Sequence, residues 1–166
     1  SKEEIIDRDD SSWSPQISLS TAVLIPDSYI SDLDLRLSLY RRASKIEDKN
    51  GIADFSEELV DRFGPIPQEF RNLIETVAIK ALCRTVGISR IDAGPRGAII
   101  TFHESTRLNT QKLIELVGNP DKNLTLRPDN KLIVSRKWPT AQQRLDGVRS
   151  FLDFLSKTML QDQTVN

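Results

Sequence analysis

The 166 residues predict an α+β fold, a small mixed or antiparallel sheet built from two hairpins and an N-terminal strand and packed with about five helices. Long stretches repeat apolar residues at three- and four-residue spacing, as amphipathic helices do. Two pairs of short β-branched runs are divided by turn residues, Ala93-Gly94-Pro95-Arg96-Gly97 in one and Pro128-Asp129-Asn130 in the other, as hairpins are. Helical and hairpin stretches are separated along the chain, which favours α+β.

Residues 1–16 carry Glu3, Glu4, Asp7, Asp9 and Asp10 and a Ser11-Ser12-Trp13-Ser14-Pro15 break, the composition of a linker from a preceding domain on which Trp13 packs. Ile17 to Ile25 reads as a strand ended by Pro26. Leu33, Leu35, Leu37 and Leu39 alternate as a strand would. Ser31 with Asp34 resembles a capping box, however, and Tyr40, Ala43 and Ile46 continue the pattern helically, so a helix is expected over 32–46. Lys49-Asn50-Gly51 is expected to turn the chain into the next helix.

In that helix Ile52, Phe55, Leu59, Val60 and Phe63 fall on one side, and Asp54, Glu57, Glu58 and Asp61 on the other. Gly64 is expected to close it in the left-handed conformation. Pro65 forbids continuation and pins Phe63, expected to be fully packed, at a corner. Pro67 opens a central core helix over 67–86, where Phe70, Leu73, Ile74, Val77, Ala81 and Leu82 form a wide apolar stripe. The first hairpin pairs 88–92 with 98–104 and places Arg96 at its tip. Asn109 to Val117 reads as a short helix, 124–127 and 132–135 as the second hairpin, and 140–160 as a long amphipathic helix capped by Thr140. One domain is therefore expected over 17–161, with a disordered tail at 162–166.

Twenty-three basic against 24 acidic side chains leave a net charge of −1, which is not the footprint of a protein that tracks phosphates by itself. A protein partner is expected. The single cysteine, Cys83, lies in an apolar helical run, which excludes an intramolecular disulfide and fits a reducing compartment. With no run of ~20 apolar residues and no signal-peptide layout, a cytoplasmic protein is expected. A start at Ser1-Lys2-Glu3-Glu4 fits a piece of a longer chain.

None of the seven glycines precedes a lysine, so no Walker loop is available for a nucleotide. One histidine, His103, is expected as a solvated strand residue, without companions for a metal site. No Gly-x-Ser-x-Gly elbow places a serine beside it. The residues predict no enzyme activity and no cofactor.

The acidic helix face is the feature left over. Asp54 and Glu57 suit the first turn, where the helix dipole favours carboxylates, and Glu58 can pair with Arg62 one turn on. Asp61 lies near the negative end of its helix with no such pairing, which points to an external cation.

The run Leu24-Ile25-Pro26 through Tyr29, then Asp34-Leu35-Arg36-Leu37-Ser38-Leu39-Tyr40-Arg41-Arg42, then Glu58-Leu59-Val60-Asp61-Arg62-Phe63-Gly64 and Pro67, resembles the C-terminal domain of the bacterial transcription-repair coupling factor (TRCF) family. The likeness extends over roughly residues 18–160. Members of that family are ATP-driven DNA translocases that displace RNA polymerase stalled at lesions and recruit the repair protein UvrA. The resemblance implies a mixed fold and an autoregulatory interaction domain that folds back on an N-terminal UvrB-like module, masks the UvrA-binding surface and restrains the motor. It implies that Glu58 and Asp61, with Glu57 and Arg62 beside them, lie on that contact. The motor would lie outside this chain. The alternative is a nucleic-acid-binding accessory module using Arg36, Arg41, Arg42 and Lys45 on the first helix.

Overall fold

The computed structural model describes residues 13–160. Of the linker expected over 1–16 only residues 13–16 fall within that range, and the tail expected over 162–166 lies outside the described residues. Two compact units divide the chain, one spanning 20–81 and the other combining 82–160 with the segment before Ser20.

In the 20–81 unit, α1 (Leu33–Ser44) begins where Asp32 accepts a hydrogen bond from the Leu35 amide at 3.1 Å. The helix begins one residue later than the expected 32–46 because Asp32, not Ser31, satisfies the orphan donor, and it ends two residues earlier, where Lys45 caps it with its amide directed to the Arg42 and Ala43 carbonyls. α2 (Lys49–Phe63) starts earlier than expected for the same reason: Asp48 accepts from the Gly51 amide at 2.7 Å, so Lys49, Asn50 and Gly51 form its first turn. Gly64 ends α2 with φ +87° and ψ −164°, a positive φ with extended ψ in place of the expected left-handed pair, and its amide donates to the Val60 carbonyl. The Tyr29 hydroxyl donates to the Gly64 carbonyl at 2.8 Å and reaches the Leu59 carbonyl at 3.2 Å, closing the exposed end of the helix. Burial pushes the Tyr29 phenol up from its ordinary value. α3 (Gln68–Val86) then runs on through Ala81 into the second unit.

Phe55, Leu59 and Phe70 form the centre of this unit's core with Leu39, Ala43, Ile25, Ile30, Ile74 and Val77. Its rings meet edge-on: Tyr29 with Phe70 at 6.0 Å, and Phe55 with Phe70 at 6.1 Å. Two expectations fail here. Phe63 is only half-buried, because as the last residue of α2 it meets the Tyr29 ring on an edge at 5.8 Å and the Arg62 guanidinium over its face. Val60 is 49% exposed, since one residue beyond Leu59 turns it about 100° off the buried stripe.

The second unit holds a five-stranded mixed sheet in the order β1-β2-β3-β5-β4, made of β1 (Gln16–Ser18), β2 (Ile88–Gly94), β3 (Gly97–Phe102), β4 (Leu124–Leu126) and β5 (Lys131–Ser135). Among the described residues the β1–β2 pair is parallel and the others are antiparallel. β1 is far shorter than the expected 17–25, for Ser20 adopts φ +51° and the extended run stops there. In the first hairpin both glycines belong to strands, and only Gly97 has positive φ, at +124°. A Cβ on Gly97 would lie 1.9 Å from the Val134 carbonyl oxygen, so glycine permits the close β3–β5 approach. Arg96 stands at the turn as expected.

α4 (Thr110–Gly118) is capped by Asn109, whose side chain accepts from the Lys112 amide. α5 (Ala141–Leu160) opens with a capping box in which Gln143 N–H donates to Thr140 Oγ1 and Thr140 N–H donates to Gln143 Oε1. Ile91, Ile100 and Leu132 pair across β2, β3 and β5 and are buried, as are Leu145, Leu152 and Leu155 of α5. The α+β class, with five α-helices and a mixed five-stranded sheet among the described residues, is as the sequence predicts.

Candidate protein-interaction site

Glu58 lies on the flank of α2 that meets α1, and there its carboxylate is already engaged. Arg42 Nη1 donates to Oε2 at 2.7 Å and Nη2 to Oε1 at 2.8 Å, a two-pronged grip on both oxygens. Arg62 Nη1 donates to Oε2 at 3.0 Å from one turn further along α2. These bonds, Arg42's first and Arg62's second, hold the Glu58 carboxyl well below the usual carboxylate range, at about 2. The same hydrogen bond to Glu58 raises the Arg42 guanidinium. Each arginine is also braced by a ring, Arg42 over Phe55 at 5.3 Å and Arg62 over Phe63 at 4.9 Å.

The remaining acids are different in kind. Asp54, Glu57 and Asp61 are exposed, and none forms an ion pair among the described residues. Asp61 stands two residues before Phe63, the last residue of α2, in the turn where the helix carries a partial negative charge that opposes its own. Of the residues singled out from sequence, Glu58 and Arg62 are therefore brought together, while Glu57 and Asp61 stand free. Arg42 as the main partner of Glu58 was not among them; sixteen residues separate the two, so no local spacing signals the pair.

The basic residues of α1 are partly consumed by the fold. Arg36 Nη1 donates to the Ile30 and Ser31 carbonyls at 2.8 and 3.0 Å, and Arg42 is held by Glu58. Arg41 remains exposed, as does Lys45, which follows the last residue of α1 as its cap instead of lying on the helix as expected.

Elsewhere, in the sheet unit, an open pocket of about 530 Å³ is lined by Trp13, Arg84, Gly87, Thr106, Arg107 and Met159, among others. Trp13 stacks on His103 with ring centres 4.3 Å apart and planes within 8°. His103 is thus not the solvated strand residue expected: it is half-buried, lies just past β3, and its Nδ1 shares a 2.6 Å hydrogen bond with Ser105 Oγ. Among the described residues no three His, Cys, Asp or Glu side chains are grouped to hold a metal ion. No helix among them is long and apolar enough to cross a membrane.

The sequence profile of the TRCF domain matches residues 19–113. The chain is 39% identical to a transcription-repair-coupling factor of Rickettsia bellii over 74% of its own length, and 26% identical to that of Escherichia coli over 87%. It spans 11% and 13% of those relatives' lengths, a small part of each. A crystal structure of the C-terminal domain of a transcription-repair coupling factor superposes with a TM-score of 0.75 at 21% identity, covering 90% of this chain and 96% of that one. The likeness in fold thus runs through both units, and with the matching sequence profile it places the chain in the TRCF domain family.

Proposed function

We propose that this chain is the autoregulatory interaction domain of a transcription-repair coupling factor, packing on an N-terminal UvrB-like module of the same protein. In the closed state the contact covers the surface that UvrA binds and restrains the DNA translocase that removes stalled RNA polymerase. The acidic edge of α2, with Glu58, Asp61 and Glu57 flanked by Arg62, is the contact, and arginines on the module face it. The observation that carries this reading is Asp61, exposed, unpaired and set against the negative end of its helix, where a partner guanidinium relieves an unfavourable position.

Such a contact needs no cofactor and no catalytic group of its own, and a cytoplasmic setting belongs to the same reading. The alternative nucleic-acid module is disfavoured by the internal use of Arg36 and Arg42, two of the four cations it requires. Full-length protein carrying Glu58→Ala and Asp61→Ala tests the proposal. Raised UvrA affinity and raised ATPase activity, with the fold intact by circular dichroism, are expected. Wild-type values of both contradict it.

A further inference from the structure

Glu58 reaches any partner already spoken for. A carboxylate accepts about four hydrogen bonds, and three of those positions are filled, two by Arg42 and one by Arg62. Both arginine Nη1 atoms approach the same oxygen, at 2.7 and 3.0 Å, so they lie within about 5.7 Å of each other and give the triad a net positive charge. An arriving cation therefore meets repulsion as well as attraction, although the helix face beside it is acidic. The two internal bonds are unequal. Arg42 grips with both prongs from another helix, whereas Arg62 gives one longer bond to its own helix neighbour while its guanidinium already rests over the Phe63 ring at 4.9 Å, a contact that does not depend on Glu58.

We infer that the α2 contact closes by exchange: an incoming partner guanidinium displaces Arg62 from Glu58, Arg62 stays on Phe63, and Arg42 keeps its grip throughout. Arg62 is then a competitor built into the site, and it weakens the closed state instead of supporting it. This rests on the contact proposed above and adds how that contact is kept reversible. A new ion pair replaces an old one, so closure gains less than the number of bonds across the interface implies.

The exchange makes a prediction opposite to that of a simple contact residue. In full-length protein, Arg62→Gln removes the competitor and its charge, stabilises closure, and lowers UvrA affinity by roughly 2- to 5-fold, the scale of one exposed ion pair. Arg62→Lys keeps a cation that can pair with Glu58, and is expected to lower UvrA affinity less than Arg62→Gln does. An equal loss with both variants would assign the effect to the guanidinium's stack on Phe63 and overturn the exchange. Unchanged or raised affinity with Arg62→Gln also overturns it. Asp61→Asn measured in parallel separates the two levels: if it raises UvrA affinity while Arg62→Gln has no effect, exchange alone fails. If neither variant alters UvrA affinity, the proposed contact itself fails.

Discussion

Arg42 of α1 grips both carboxylate oxygens of Glu58 on α2, at 2.7 and 2.8 Å, and so ties two helices together across sixteen residues of sequence. Both side chains are well exposed, at 44% and 36%, and solvent screening limits what the pair contributes. A double-mutant cycle with Arg42→Ala and Glu58→Ala is expected to give a coupling of about 0.5–1 kcal/mol in urea unfolding, the upper range for an exposed pair with two-pronged geometry. A coupling indistinguishable from zero would mean that the grip is lost in solution.

The same pair gives stability a pH signature. The folded Glu58 carboxyl is depressed to about 2 from an ordinary 4.5, so its contribution is fully present above about pH 4.5 and drains away as pH falls toward 2. The stability difference between wild type and Glu58→Gln is expected to be constant from pH 7 to 5 and to vanish by about pH 2. A difference that persists at pH 2 would assign it to something other than the ionised carboxylate.

Phe63 and Phe70 are both phenylalanines of the ring cluster, but only Phe70 is fully buried. Phe70→Ala is expected to cost about 3–5 kcal/mol, and the half-buried Phe63→Ala about 1–3 kcal/mol. Equal losses in urea unfolding would show that Phe63 is packed more fully than the Tyr29 and Arg62 contacts indicate.

Gly147 lies inside α5, where exchanging glycine for alanine ordinarily stabilises a helix by about 0.5–1 kcal/mol. Here a Cβ would fall 2.2 Å from the buried Trp138 indole. Gly147→Ala is expected to destabilise by about 1–3 kcal/mol through overpacking. A rise in melting temperature would contradict the close packing of Trp138 on α5.

The long amphipathic helices were legible because their apolar stripes repeat over many turns, and the hairpins because Gly97 and Asn130 mark positive φ in the turn regions. Elements fixed by one side chain were not. Asp32 and Asp48 set where α1 and α2 begin, against the more suggestive Ser31 and Gly51, since several residues could cap and only geometry selects one. β-branched composition extended β1 through Ile25, but it says nothing of the backbone reversal at Ser20. At the candidate site the i,i+4 pair of Glu58 with Arg62 could be read from spacing, whereas the stronger Arg42 contact arises only when α1 and α2 pack.

Closure of this domain on a UvrB-like module through the acidic edge of α2, as proposed, requires that the two bind in trans. The purified chain, titrated with the isolated UvrB-like module of its parent protein, is expected to bind, to be displaced by UvrA, and to bind more weakly as Asp61→Arg. Reversing the facing module arginine to Glu should then recover part of the loss. Absence of binding, or binding that neither UvrA nor Asp61→Arg disturbs, would rule out closure through this edge.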